Sequence, residues 1–519
     1  MQQENGEGPT PAKRPLLSSN ASNDGSAEQA NRDARLVRMF CDGLFSYNIL
    51  NDKSWQTFFK YEFPNYQMPC VKTFLEQLVP NEYDKEKNKL KQMLESVKYL
   101  AVTINNWKIG VKERRRGRNM YTVTIHFIYG GKRINQCFFA KIAKIRNDDI
   151  VLSLIKDELM RWNVFNKIVL CVANRAISVK LQSWGKELHT CLASTVAITI
   201  HDVMKSLFEE LDKRAPNQKK TDPFSWHSQY IWLQNFADNA DSNSSEIDKK
   251  IYKDCINLLK PFEDLTKTLS SEQYQSLSYV IPILVGLKTR LNECTPTTDT
   301  GIAFKKNFLN KVSNLLEDTT SAKHKATFMD PRFKEACFIN QTQAESVRGK
   351  VIEEIEENIK PSVNHHGISP DTPSTSSASD HQNAVPVTTI KQEDKDNGLL
   401  DYLDDKLRAT FSANSLNTRF KVEQYLDLPH VNRGDNPCQF WEQLKDISKY
   451  SELYDMSQKY LCMPATAQPV ETVSGDYIWN KHIKVDDYND RKNEMGTEKI
   501  NEILFLHSFY ARTSDDETE

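Results

Sequence analysis

The sequence has no close cysteine pair. Its ten cysteines (Cys41, Cys70, Cys137, Cys171, Cys191, Cys255, Cys294, Cys337, Cys438 and Cys462) are scattered, and no two fall in a Cys-x-x-Cys spacing. Structural zinc sites draw on such pairs because one turn then supplies two corners of a tetrahedron, so a self-contained zinc finger is not expected. Scattered single thiols in a chain this long fit a reducing compartment. No apolar run reaches membrane-spanning length, and no signal-peptide pattern opens the chain. The expectation is a soluble intracellular protein. An excess of one charge is also lacking: 68 basic residues face 70 acidic ones, for a net charge of −2. A free-standing nucleic-acid binder shows a basic excess, so any such contact here is local or borrowed from a partner. Hydrophobic residues are sparse at 39%, which points to ordered domains diluted by polar tails and linkers.

What is present is periodic. Residues 1–33 are polar and read as a disordered tail containing one small basic cluster, Pro-Ala-Lys-Arg-Pro, a minimal import signal or a chance pairing. Residues 34–97 carry apolar residues at helical spacing, as at Leu36, Met39, Phe40 and Leu44. The prolines of PNYQMP interrupt them with an extended turn. The period changes at Lys98. YLAVTIN is β-rich, and in MYTVTIHFIY the residues Tyr121, Val123, Ile125 and Phe127 alternate with polar partners, the period of a half-buried strand. GGK makes a turn into a third strand, RINQCFFAKI. Residues 149–162 predict a helix with Ile150, Leu154, Ile155 and Leu159 on one face, and KIVLCVA (167–173) a short buried strand. Strand, strand, strand, helix, strand is the order that opens an RNase H-like fold. Residues 201–358 read as mostly helical, 359–398 as a Ser/Thr/Pro-rich disordered linker, 399–510 as helical again, and 511–519 as an acidic tail.

Six short motifs then occur in one order: FPNYQMPCVKT, YLAVTINNWKIG, DPFSWHSQYIWLQ, LLKPFEDLTKTLSSEQYQSLSYVIPIL, ATFMDPRFKE and NPCQFWEQLKDISKYSELYDMSQKYLCMPATAQPVE. Together they resemble the hAT transposase superfamily, in the manner of relatives that carry a BED finger, although no such finger is recognisable here. The resemblance implies an RNase H-like mixed sheet (first part 98–200) interrupted by a large all-helical insertion, with a C-terminal helical dimerisation region completing the core. It also implies metal-dependent DNA cutting by three carboxylates. That chemistry needs hard anionic oxygens bridging two Mg²⁺ ions, which an amide or a methyl group cannot replace. The family's first Asp falls on Asn105, its second on Ala173, and its Glu on Glu471. The Cys-x-x-His step keeps Cys191 but has Ser194 in place of His. One carboxylate in three cannot hold two metals, so the expectation is a non-enzyme with no metal and no cofactor. The opposing reading is a residual nuclease with a displaced site.

The resemblance further implies that the helices bearing Trp441, Leu453, Tyr460, Leu461, Ile503 and Leu504 serve dimerisation, an intramolecular core closing onto the sheet, or both at once. The expected partners are a second copy or a BED-finger relative, and nuclear or chromatin proteins, with DNA reached indirectly and no membrane. Trp226 and Tyr230 read as core. Three further features stand outside the resemblance. Lys112, Arg114, Arg115, Arg116 and Arg118 lie between two strands, as a phosphate-contacting hairpin tip, an import signal or a solvated charge run. Lys391 in IKQED matches the aliphatic-Lys-x-Glu pattern of SUMO acceptors, and Ser369 and Thr372 precede prolines as phosphorylation sites do. The functional expectation is a nuclear regulator of transcription, chromatin or transposons.

Overall fold

The computed structural model describes residues 24–109, 118–144, 148–214, 230, 231, 233–235, 237, 246–269, 275–317, 321–359, 413–467 and 497–517. The chain is mixed α/β and mostly helical, built around one five-stranded mixed sheet. The strands are β1 (Leu100–Ile109), β2 (Arg118–Tyr129), β3 (Lys132–Lys144), β4 (Ile168–Ala173) and β5 (Leu188–Thr190). Their order across the sheet is β3-β2-β1-β4-β5. β1, β2 and β3 pair antiparallel, and β4 and β5 run parallel to β1. Gly130 and Gly131 close the β2–β3 hairpin with φ of 57° and 70°, the left-handed pair that a two-residue turn of matching twist requires. A side chain at Gly131 would also press on Glu442, whose Cβ lies 3.1 Å from the position of the added atom.

Helices cover both sheet faces. The alternation of side chains along a strand separates two cores. Val102, Ile104, Val123, Ile125, Phe127, Cys171 and Ala173 pack toward α1 (Asp24–Asp42), α3 (Val79–Ser96), α4 (Asp148–Arg161) and the C-terminal helix α15 (Thr497–Glu517). Ala101, Leu170 and Val172 pack toward the other side. There they meet α6 (Leu192–Arg214), a helical layer of α7 (Glu246–Leu269), α8 (Val280–Glu293), α9 (Asp299–Glu317), α10 (Ala322–Met329) and α11 (Gln341–Ile359), and the later helices α13 (Pro437–Leu444) and α14 (Ser451–Leu461). Three further helices are α2 (Lys53–Glu62), α5 (Arg175–Leu181), which follows β4, and α12 (Ala413–Asp427).

Four expectations are corrected. Residues 24–33, read as tail, are the first half of α1. Good helix formers such as Ala27 and Gln29 continue the helix, and its polar face is held by the PNYQMP turn: Tyr66 Oη donates to Asp33 at 2.8 Å, and Gln29 exchanges bonds of 2.9 and 3.1 Å with the backbone of Gln67. The tail assigned to 511–519 likewise continues α15 as far as Glu517. On α4 the buried stripe is Val151, Leu152, Ile155 and Leu159, and Ile150 points to solvent. Finally, β2 is not half-buried. Its polar alternates Thr124 and His126 are enclosed by helices that arrive from the far end of the chain.

Candidate functional site

Two buried structures and one strand end fall on the motifs that carry the resemblance. The strand end is where the resemblance places a metal site. Asn105 on β1 is buried and pairs in register with Thr122; Ala173 closes β4 and pairs with Ile104. The two positions are therefore on adjacent parallel strands, one residue out of step. By strand alternation they face opposite sides of the sheet, Asn105 with Thr103 and Ala173 with Ile104. The β4 residue on the Asn105 face is Val172, the register partner of Thr103. Neither choice places a carboxylate beside Asn105.

On the Ala173 face the strand end is closed by amides. Asn174 caps α5, its Oδ1 accepting from Ile177 N at 3.0 Å, while its Nδ2 donates to Asn106 Oδ1 at 2.7 Å. Folding brings one acid here that the linear sequence does not place near β1. Asp148, the first residue of α4, accepts from the Tyr121 hydroxyl, and Tyr121 is the register partner of Asn106. Lys180 then sits 3.1 Å from Asp148 and 3.2 Å from Asp149. The Asp148 hydrogen bond raises the Lys180 pKa, so the ammonium stays charged. A cation pair at this point would have to displace that ammonium. Among the described residues, no group of three or more His, Cys, Asp or Glu side chains is arranged to hold a metal ion.

On the Asn105 face an uncharged polar chain runs through His126. His126 links Thr103 Oγ1 (3.0 Å from Nε2) to Asn135 Oδ1 (2.8 Å from Nδ1). The amide oxygen can only accept, so Nδ1 carries the hydrogen and Nε2 accepts from Thr103. Complete burial lowers the His126 pKa to about 3, leaving a neutral imidazole at physiological pH.

A buried strap runs through the middle of the molecule. Residues 462–467 (CMPATA) lie between two distant segments. Leu277 N donates to Met463 O at 2.8 Å and Ala465 N to Gln275 O at 2.7 Å on one side. Leu192 N donates to Ala465 O at 3.0 Å on the other, and Ala467 N to Cys191 Sγ at 3.2 Å. Cys191, the surviving half of the Cys-x-x-His pattern, is thus a backbone acceptor. Glu471 follows the strap in sequence and lies outside the described residues.

The second buried structure is the DPRFK turn, residues 330–334. Asp330 receives Arg332 Nε and Nη2 at 2.9 and 2.7 Å and Ser278 Oγ at 2.6 Å. Arg332 Nη1 donates to Tyr279 Oη at 2.8 Å. Lys334, almost fully buried, donates to the carbonyls of Tyr425, Leu426 and Leu428 at the end of α12, where an ammonium meets the negative pole of the helix. Just before this turn, Met329 O accepts from Trp441 Nε1 at 2.9 Å and Phe328 O from Tyr425 Oη at 2.9 Å.

Residues 421–510 match the model of the hAT family C-terminal dimerisation region. The match supports a hAT-type, transposase-like chain that self-associates. No curated protein matches the chain. The matched region holds all six residues assigned to dimerisation, and the protomer itself uses them. Trp441, Leu453, Tyr460, Leu461 and Leu504 are buried and Ile503 is half-buried, in the sheet's own cores. Tyr460 is fixed further by donating to Glu354 at 2.6 Å. These side chains lie in the protomer's core, a placement that leaves a part in dimerisation equally open to them. Among the described residues, no helix is long and apolar enough to cross a membrane. Tyr230 is buried as expected, whereas Trp226, Lys112, Arg114, Arg115, Arg116, Lys391, Ser369 and Thr372 lie outside the described residues. Arg118 is placed as the first residue of β2.

Proposed function

We propose that this chain is a domesticated hAT-type transposase relative that has given up metal-dependent DNA cutting and works in the nucleus by self-association and partner binding. The observation that carries the reading is the strand end. Asn105, Val172, Ala173, Asn106 and Asn174 offer amides and methyl groups at the ends of β1 and β4, and Asp148 is already engaged by Tyr121 and Lys180. Two divalent ions need several bridging anionic oxygens, which such a set does not supply. The sheet order β3-β2-β1-β4-β5 supports an RNase H-like core, and the helical layer between β5 and the matched region supports its insertion. Sequence-specific DNA contact then comes through a BED-finger relative or another chromatin protein. The same reading takes Lys391, Ser369 and Thr372 as modification sites.

The test is direct. Purified full-length protein incubated with Mg²⁺ or Mn²⁺ and labelled duplex DNA should leave the DNA intact. Cleavage that disappears in Glu471→Gln would instead establish a residual nuclease. In parallel, tagged protein should accumulate in nuclei and co-purify with chromatin proteins.

A further inference from the structure

We draw no further inference here: the strongest candidate, the exposed aromatic face of α2 around Phe58 and Tyr61, is an unpartnered surface patch, and nothing in the structure shows what covers it.

Discussion

Two short aromatic helices, α2 and α13, make opposite use of the same kind of side chain. α13 has eight residues and α2 has ten. α13 buries Trp441 completely, its ring tilted against that of Tyr425 at 4.9 Å and its indole nitrogen bonded to Met329 O. α2 buries nothing. Composition does not separate them, and neither does helical period. What separates them is the backbone each one meets. The DPRFK turn and the carbonyls of Phe328 and Met329 just before it present acceptors and an ammonium to α13 and its neighbour α12, whereas α2 reaches the core through Phe59 alone among its half-covered side chains and leaves Phe58 and Tyr61 exposed. An aromatic helix is a core element or a surface according to what long-range topology places against it.

The sharpest way to break the comparison is Trp441→Ala. It should cost about 3–5 kcal/mol through the cavity and the lost hydrogen bond, read as a large fall in the urea midpoint. If stability is unchanged, α13 is no more a core element than α2. Lys334→Met comes next. It keeps the volume but strips three carbonyls of their donor, and should cost about 3 kcal/mol, read in the same titration.

A third measurement concerns pH. The folded His126 pKa is depressed to about 3, and burial likewise lowers His189 to about 4. An unfolded histidine titrates near 6.5, so between these limits the unfolded chain binds more protons. Their contribution to stability is complete above about pH 6.5 and is lost as pH falls toward the folded values. The midpoint should therefore drop between pH 7 and pH 4, and drop less steeply in His126→Gln. Identical pH dependence in the two proteins would contradict this. The smallest effect belongs to α2: Phe58→Ala with Tyr61→Ala should change protomer stability by no more than about 0.5 kcal/mol, so a large loss would mean the helix is packed after all.

Much of the sheet was legible in sequence. The first four strands and the helix between the third and fourth stand where period and turn residues place them, and the Gly130–Gly131 turn is visible as a pair. The fifth strand, Leu188–Thr190, is too short to show a period. The burial of His126 and Thr124 was not legible either. An alternating strand looks half-exposed until a second layer covers it, and that layer is encoded more than 300 residues away, as in the Gly131 carbonyl accepting from Asn436 Nδ2 at 3.3 Å. The candidate site was legible as a loss at Asn105 and Ala173. Their opposite facing was not, because it depends on register between strands. The arrival of Asp148 depends on where α4 begins, which is fixed by packing of Val151 and Leu152 and not by the acidic residues themselves.

The cover on β3 sets a timetable for biosynthesis. Gln136 on the sheet's edge strand donates to Phe505 O at 2.9 Å and to Ser508 Oγ at 2.6 Å, and the first of these partners is made 369 residues later. At ordinary elongation rates of about 5–20 residues per second, that edge waits roughly 20–70 s on the ribosome before α15 exists to cap it. Nascent chains of this protein should therefore be clients of co-translational chaperones over that interval, and truncations that end before α15 should aggregate rather than accumulate as a shorter soluble form.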